Sequence, residues 1–222
     1  MLTARPPLEE CLQQGLHSLG VTPGGQQIVR LAGYLRLLEK WNRAFNLTAI
    51  RDLEEMVALH ILDSISARPY LYGKAVLDVG TGAGLPGLPL AIFEPERHFF
   101  LLDSGRKKVR FVKHAVGELE LDNVTVVHRR VEEYEPTAPF DTVICRAFSS
   151  IGIFVRRCGM LVGVGGRLLA MKGRFPDAEL GGLPPDWDAT EVAPVEIPGL
   201  AVQRHIVILQ RKQDRLMPQA VQ

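Results

Sequence analysis

The 222-residue sequence has few cysteines, almost no net charge and no long apolar run, and each shortage excludes a class of protein. The three cysteines, Cys11, Cys145 and Cys158, are odd in number and lack metal-ligand spacing, which suits a reducing compartment. With a formal net charge of +1, nucleic acid would have to bind through a local basic patch. No uncharged apolar run approaches the ~20 residues of a membrane span, and residues 1–10 lack the apolar segment of a signal peptide. We expect a cytoplasmic monomer without a bound metal.

A hydrophobic content of 46% and a charged content of 23% are typical of a soluble globular protein. Apolar residues recur at helical spacing over 7–19, 26–45 and 52–66, and Asp52 is the expected N-cap of the third helix. These helices form a predicted N-terminal helical subdomain over residues 1–70.

Short apolar runs alternate with helical patterns over residues 71–212, and residues 213–222 are expected to form a tail. The predicted strands are 75–79, 98–103, 124–128, 140–145 and 166–171, and the predicted helices lie near 86–93, 105–119, 131–134 and 150–162. A loop over 173–185 precedes two further strands at 188–197 and 204–209, which no helix separates. The pattern predicts an α/β, Rossmann-like fold, whose seven-stranded, mostly parallel sheet ends in an antiparallel hairpin.

Residues 76–84, Val-Leu-Asp-Val-Gly-Thr-Gly-Ala-Gly, are the most informative segment. A buried strand containing Asp78 leads into Gly80, Gly82 and Gly84, where the backbone can turn tightly and lie against a ligand. The dinucleotide fingerprint needs its third glycine at position 85, which is Leu85. The pattern instead indicates the variant that binds S-adenosylmethionine (SAM), with Asp78 serving the ammonium end of the cofactor.

Ligands of such sheets bind at the carboxyl ends of the strands. Asp103 ends the second predicted strand, about twenty residues after the glycines, where a carboxylate accepts hydrogen bonds from ribose hydroxyls. Val131 and Glu132 follow the third strand and are expected to meet the adenine. The alternative for these two residues is a helix start with an acid in its first turn.

Three cations, Arg130, Arg146 and Lys172, follow the third, fourth and fifth strands. They indicate an anionic substrate, unless neighbouring acids pair with them. The Asn/Asp-Pro-Pro-aromatic tetrad that binds an exocyclic amine in adenine and cytosine methyltransferases is absent after the fourth strand. Cys145 follows Ile144 rather than a proline, so we interpret it as a core residue and not as a nucleophile.

Two further segments are candidates for contacts with RNA. The helix after Asp103 carries Lys107 and Lys108 on a basic face that either contacts phosphates or is merely solvated. In the N-terminal part, Asn46, Thr48 and His60 are candidates for holding a polar ligand, although His60 also fits a buried interface position.

Six motifs stand in one order along the chain: Trp-Asn-x-x-x-Asn-Leu-Thr (41–48), His-Ile-Leu-Asp-Ser (60–64), Asp-Val-Gly-Thr-Gly-x-Gly-Leu-Pro-Gly (78–87), Leu-Leu-Asp-Ser (101–104), Arg-Val-Glu (130–132) and Arg-Ala-Phe (146–148). Over residues 8–210 the chain resembles the ribosomal small-subunit methyltransferase G family, also called glucose-inhibited division protein B. The resemblance implies a class I SAM-dependent methyltransferase that modifies N7 of one guanine in 16S rRNA, of the guanine-527 type. Cys145 departs from the serine expected there.

By the same resemblance, the partner is 16S rRNA, in the 30S subunit or an assembly intermediate. The implied SAM contacts include Gly80, Leu85, Val131, Glu132 and Arg146. We assign catalytic roles to Arg146 and Lys172. The expected RNA contacts are Asn46, Thr48, His60, Lys107, Lys108, Arg130 and Arg204.

Three alternatives remain open at this point. An NAD-dependent oxidoreductase is disfavoured by Leu85 and by the lack of an obvious Tyr/Lys proton relay. A non-catalytic RNA-binding factor is disfavoured by the intact glycines and acids of the turn. A SAM-dependent methyltransferase acting on another RNA or on a small molecule is the third alternative.

Overall fold

The computed structural model describes residues 6–146 and 148–216. Ala147 of the Arg-Ala-Phe motif, the first five residues of the predicted subdomain 1–70 and residues 217–222 of the predicted tail lie outside this range. Within it, seven strands form one sheet in the order β3-β2-β1-β4-β5-β7-β6. They are β1 (Ala75–Val79), β2 (His98–Asp103), β3 (Val124–His128), β4 (Phe140–Arg146), β5 (Val162–Lys172), β6 (Trp187–Val195) and β7 (Arg204–Arg211).

Strands β1 to β5 are parallel, and β7 pairs antiparallel with both β5 and β6. This confirms the predicted mostly parallel sheet with an antiparallel C-terminal hairpin. The chain runs from β1 outward to β3 and then returns to β4 on the other side of β1. The reversal of strand order therefore lies between β1 and β4, where doubly wound sheets open a crevice for a ligand.

Helices cover both faces of the sheet, as alternating strand–helix units require. They are α1 (Leu8–Ser18), α2 (Gly25–Phe45), α3 (Leu53–Met56), α4 (Asp63–Ile65), α5 (Gly87–Phe93), α6 (Arg106–Glu118), α7 (Ile151–Cys158) and α8 (Asp177–Leu180). Alternate strand residues enter two cores: Val76 packs with the N-terminal helices, α5 and α6, whereas Leu77 packs with α7. The N-terminal helices thus share a core with the sheet.

The third predicted helix, 52–66, is present but not uniformly α-helical. Asp52 caps its start by accepting hydrogen bonds from the backbone N–H groups of Glu54 and Glu55. A π-helical segment, Val57–Leu62, separates α3 from α4. Apolar periodicity cannot reveal such a widening, and π-helical turns occur frequently at functional sites.

The largest boundary difference concerns β5, which begins at Val162 and not at residue 166. Gly163, Gly165 and Gly166 lie among its first five residues. Glycine has a low β propensity, so the sequence does not mark this segment as a strand. Helix α7 ends correspondingly early, at Cys158, and a 3₁₀ turn over Gly159–Leu161 leads into β5. The predicted loop 173–185 contains α8.

Within residues 6–146 and 148–216, no helix has the length and apolar character needed to cross a bilayer, and no three side chains form a cluster placed to ligate a metal.

Candidate active site

The glycine turn between β1 and α5 has the backbone geometry that its sequence requires. Gly80, Gly82 and Gly84 have φ angles of +71°, +61° and +91°, which side chains of L-residues rarely adopt. A Cβ on Gly84 would lie 2.4 Å from Leu88 Cδ1, so this glycine permits close packing of α5. A Cβ on Gly80 would meet no atom within 4 Å, because this residue faces an open cavity.

Asp78 fixes the shape of the turn from beneath. Its Oδ2 accepts hydrogen bonds from Thr81 Oγ1 at 2.6 Å and from the backbone N–H of Gly87 at 2.9 Å. The side chain is fully buried, and burial raises the pKa of this carboxyl to about 6. Its Oδ1 is buried without a hydrogen-bond partner in the described structure. The predicted contact between Asp78 and the ammonium end of SAM stays a prediction.

Asp103, at the end of β2, is held by the same turn. Its Oδ2 accepts from the backbone N–H of Gly82 at 2.9 Å and its Oδ1 from that of Gly105 at 2.7 Å. Lys108 Nζ lies 3.7 Å from Oδ2. The carboxylate is therefore fixed at the edge of the cavity that Gly80 faces.

This first cavity has a volume of about 300 Å³ and lies over the ends of β1, β2 and β3. Val131 and Glu132 line it from the 3₁₀ turn after β3, and the Glu132 carboxylate pairs with Arg157 at 2.8 Å. The residues present fit the adenosine part of SAM. The buried carboxylate of Asp103 can accept hydrogen bonds from the ribose hydroxyls, and the backbone of Gly80, which carries no side chain, faces the cavity. Leu85 is buried in the core instead, and its predicted SAM contact stays untested.

A second cavity, of about 450 Å³, lies over the ends of β4, β5 and β7. Asp63, from the N-terminal helical layer, links two arginines at its wall. Its Oδ2 accepts from Arg146 Nη1 at 3.2 Å and its Oδ1 from Arg204 Nε at 3.0 Å. Arg146 also donates to the backbone carbonyl of Leu59 at 3.1 Å. These hydrogen bonds hold the Arg146 side chain in place at the carboxyl end of β4.

Lys172, at the end of β5, is also paired. Its Nζ lies 2.8 Å from Oε2 of Glu179 in α8, and the same carboxylate oxygen accepts from the backbone N–H of Ile151. The sequence left open whether these cations meet an anionic substrate or pair with neighbouring acids. Arg146 and Lys172 both pair with acids. Arg130 is different: it lines the first cavity, and no acid pairs with it in the described part of the chain.

His60 and Thr48 form a hydrogen-bonded pair, with 3.0 Å between His60 Nε2 and Thr48 Oγ1. His60 lines the second cavity but is only 5% exposed. Burial, assisted by the nearby Arg146 guanidinium, lowers the pKa of His60 to about 4. The imidazole is therefore neutral at pH 7 and a poor proton acceptor.

Asn46 lies apart from this pair, at the C-cap of α2 with a φ of +49°, and its Oδ1 accepts from Arg51. Thr48 is positioned instead by Asn42, whose Oδ1 accepts from the Thr48 backbone N–H at 2.9 Å. Sequence reasoning did not single out Asn42 or Asp63 as site residues. The available signal was a polar side chain on an otherwise apolar helical stripe.

The sheet order and the glycine turn define the class of protein. The fold is shared with TrmN from Thermus thermophilus, with a TM-score of 0.55 and 20% identity over 77% of this chain and 53% of that one. It is shared too with a Pyrococcus abyssi tRNA (uracil-54, C5)-methyltransferase solved with S-adenosyl-L-homocysteine, with a TM-score of 0.52 and 18% identity over 72% and 39% of the chains. The architecture is that of the class I SAM-dependent methyltransferases.

The family is shown by sequence. The family model for rRNA small subunit methyltransferase G matches residues 27–207. The ribosomal RNA small subunit methyltransferase G of Nitrosococcus oceani is 49% identical over 90% of this chain and 94% of its own length. That of Photobacterium profundum is 50% identical over 84% and 91%. The chain belongs to the rRNA small subunit methyltransferase G family and is a SAM-dependent methyltransferase.

Proposed function

We propose that the protein transfers the methyl group of SAM to N7 of a guanine in the 16S rRNA of the small ribosomal subunit, at a site of the guanine-527 type. The substrate RNA follows from the family. The observation that supports the atom methylated is the pairing of the acids: Asp63 lies between Arg146 and Arg204, and Glu179 is bound to Lys172. Neither carboxylate is free to act as a base.

This arrangement suits a nucleophile that carries no proton. Guanine N7 has an in-plane lone pair and can attack without deprotonation. When bound, SAM supplies an electrophilic methyl group on a sulfonium sulfur. The protein then contributes chiefly by placing the two reacting atoms in line, an entropic and orientational contribution to the rate.

The residues of the first cavity would hold the cofactor. Asp103 would accept hydrogen bonds from the ribose hydroxyls, Gly80 would bring bare backbone against it, and Val131 with Glu132 would border the adenine. These roles accord with the burial of Asp103 and with the position of Gly80 at the cavity wall.

Charge in the second cavity bears on the role of Arg146. Methylation at N7 leaves a positive charge on the base, and an unpaired arginine beside it would oppose the product. Asp63 offsets part of the charge of Arg146 and Arg204. We therefore assign Arg146 to the carboxylate of SAM or to a phosphate of the RNA, and Lys172 to a positioning contact at the same edge.

RNA would approach over the exposed cations beside the first cavity. Lys107, Lys108 and Arg130 are exposed and would contact phosphates, which position RNA without reading its sequence. Arg204, Thr48 and His60 would border the incoming base, and Asn46 would lie at the rim. We further propose that the enzyme works as a cytoplasmic monomer on the 30S subunit or an assembly intermediate.

Chemical cleavage of rRNA tests this function. 16S rRNA from cells with and without the gene would be treated with borohydride and aniline, which cleave at 7-methylguanosine, and then read by primer extension. We expect one stop that disappears without the gene and returns with the wild-type chain. Identical patterns in both strains would contradict the proposal, and a stop elsewhere would redirect it to another RNA position.

A further inference from the structure

A third pocket lies beside α6, outside the two cavities described above. It has a volume of about 460 Å³ and is lined by Trp41 and Phe45 of α2 and by Arg106, Lys107 and Arg110 of α6. Trp41 and Phe45 are four residues apart on the last turns of α2, and Arg106 and Arg110 are four apart on α6. Each pair therefore lies on one helical face, and the two faces meet at the pocket.

The two aromatic rings form a platform that is anchored on one side. Their centroids are 5.2 Å apart with an interplanar angle of 35°. Trp41 contacts the fully buried Phe111 edge-on at 5.7 Å, which fixes its orientation against the core. Both rings are themselves half-buried, so each retains an accessible surface.

The cations around this platform are unpaired. Arg106, Lys107 and Arg110 form no ion pair with an acid in the described residues, in contrast to Arg146 and Lys172. The Arg110 guanidinium lies 5.8 Å from the Trp41 ring. Helix α6 carries one acid, Glu118, at its far end. Accessible aromatic faces beside unpaired cations are the combination that binds single-stranded nucleic acid, through base stacking and phosphate contacts.

We infer that this pocket binds one unpaired nucleotide of the RNA substrate, with its base stacked on Trp41 and Phe45 and its phosphate held by Arg106, Lys107 and Arg110. The inference rests on the proposed function, which supplies the RNA. The adjacent residues Lys107 and Lys108 line the aromatic pocket and the first cavity respectively. An RNA strand bound in the aromatic pocket would therefore pass along the edge of the cofactor cavity.

Tryptophan fluorescence gives a direct readout. The chain has two tryptophans, and Trp187 is buried, so a Trp187→Phe protein reports on Trp41 alone. The probe is a single-stranded RNA oligonucleotide of mixed sequence, compared with an abasic oligonucleotide of equal length that retains the phosphates. We expect the base-bearing RNA to quench Trp41 emission and the abasic one to leave it unchanged. Equal responses to both would overturn the inference.

Binding measurements with variants supply a second test. Phe45→Leu keeps apolar bulk but removes the ring, and should weaken binding of the base-bearing RNA roughly tenfold, which corresponds to about 1.4 kcal/mol. It should also abolish the preference over the abasic RNA. The matched control is Tyr72→Leu, which removes a 41% exposed ring lying 4.8 Å from the Arg167 guanidinium, on the segment before β1. The control should bind as the wild type does.

The outcomes separate this inference from the proposed function. If the wild-type chain methylates 16S rRNA and Phe45→Leu binds RNA as tightly as Tyr72→Leu, only the nucleotide pocket is refuted. If the wild-type chain neither binds nor methylates 16S rRNA, the proposed function fails first. If Phe45→Leu does not fold, the fluorescence comparison with the Trp187→Phe protein, which keeps both Trp41 and Phe45, still tests the nucleotide pocket.

Discussion

Asp63 Oδ2 and Arg146 Nη1 lie 3.2 Å apart, and this contact joins the N-terminal helical layer to the carboxyl end of β4. Asp63 is buried, and its other oxygen binds Arg204 at the start of β7. One carboxylate thus holds two cations of the second cavity in fixed positions. The π-helical segment Val57–Leu62 immediately precedes it.

Asp63→Asn keeps the shape of the side chain but leaves both arginines without their counter-charge. Removing one partner of a buried ion pair costs about 3–5 kcal/mol in the free energy of unfolding, because an uncompensated charge is left behind. We expect a loss at the lower end of that range, because the Arg146 and Arg204 side chains are 25% and 23% exposed and water partly solvates them. We also expect at least a tenfold loss in methyl transfer, measured as kcat/KM. Glu39→Gln is the matched control, since Glu39 pairs with Arg43 on the exposed surface of α2. A stability loss as small as that of the control would refute this role for Asp63.

Arg146 and its neighbour Cys145 should behave oppositely on substitution. Arg146→Ala should fold but lose at least tenfold in rate, about 1.4 kcal/mol of transition-state stabilisation, because Arg146 orients the cofactor or a phosphate. Cys145→Ser should keep its activity, because the thiol is fully buried and burial raises its pKa well above the usual value. Single-turnover rates at saturating SAM check both. An inactive Cys145→Ser enzyme that still binds SAM would overturn the mechanism without a nucleophile.

Asp103→Ala should weaken SAM binding by removing charge-assisted hydrogen bonds to the ribose. Such bonds contribute roughly 1.5–3 kcal/mol, or about ten- to a hundredfold in Kd. Isothermal titration calorimetry measures the change in Kd. Circular dichroism checks that the domain remains folded after the loss of the hydrogen bond from Gly82 to Asp103. An unchanged Kd in a folded variant would remove Asp103 from the cofactor site.

The buried neutral His60 predicts a specific pH dependence of stability. Its pKa is about 4 in the folded protein and ~6.5 in the unfolded chain. Between these values the unfolded chain binds a proton that the folded protein does not, so stability falls as the pH falls. Relative to His60→Gln, the wild type should lose roughly 2 kcal/mol in the free energy of unfolding between pH 7 and pH 5. Asp78 titrates in both proteins and cancels. Urea denaturation measures the free energy of unfolding of both proteins at the two pH values. An equal change in the wild type and in His60→Gln would contradict the burial of a neutral imidazole.

The parts of the site that the sequence predicts are those built from neighbouring residues. The glycine turn and Asp103 follow from a strand, a turn and the next strand end, and the structure places Gly80 and Asp103 at one cavity. Asp63 was missed because its ion pair with Arg146 spans 83 positions and that with Arg204 spans 141. No local pattern encodes a contact of that range.

The same reason explains the errors in element boundaries. The start of β5 is rich in glycine, and its limits follow from pairing with β4: Val162 pairs with Phe140, and after a register shift Arg167 pairs with Thr142. The π-helical segment before Asp63 is invisible to a 3.6-residue period. Tertiary packing decides both.

The most direct test of the central claim is the identity of the methylated nucleoside. The purified chain would be incubated with isotope-labelled SAM and 30S subunits from cells lacking the gene, and the 16S rRNA digested to nucleosides for mass spectrometry. We expect the label in 7-methylguanosine, at no more than one labelled methyl group per 16S rRNA, and strongly reduced with Arg146→Ala. Label in another methylated nucleoside, or no label transferred to 16S rRNA, would contradict methylation of guanine N7.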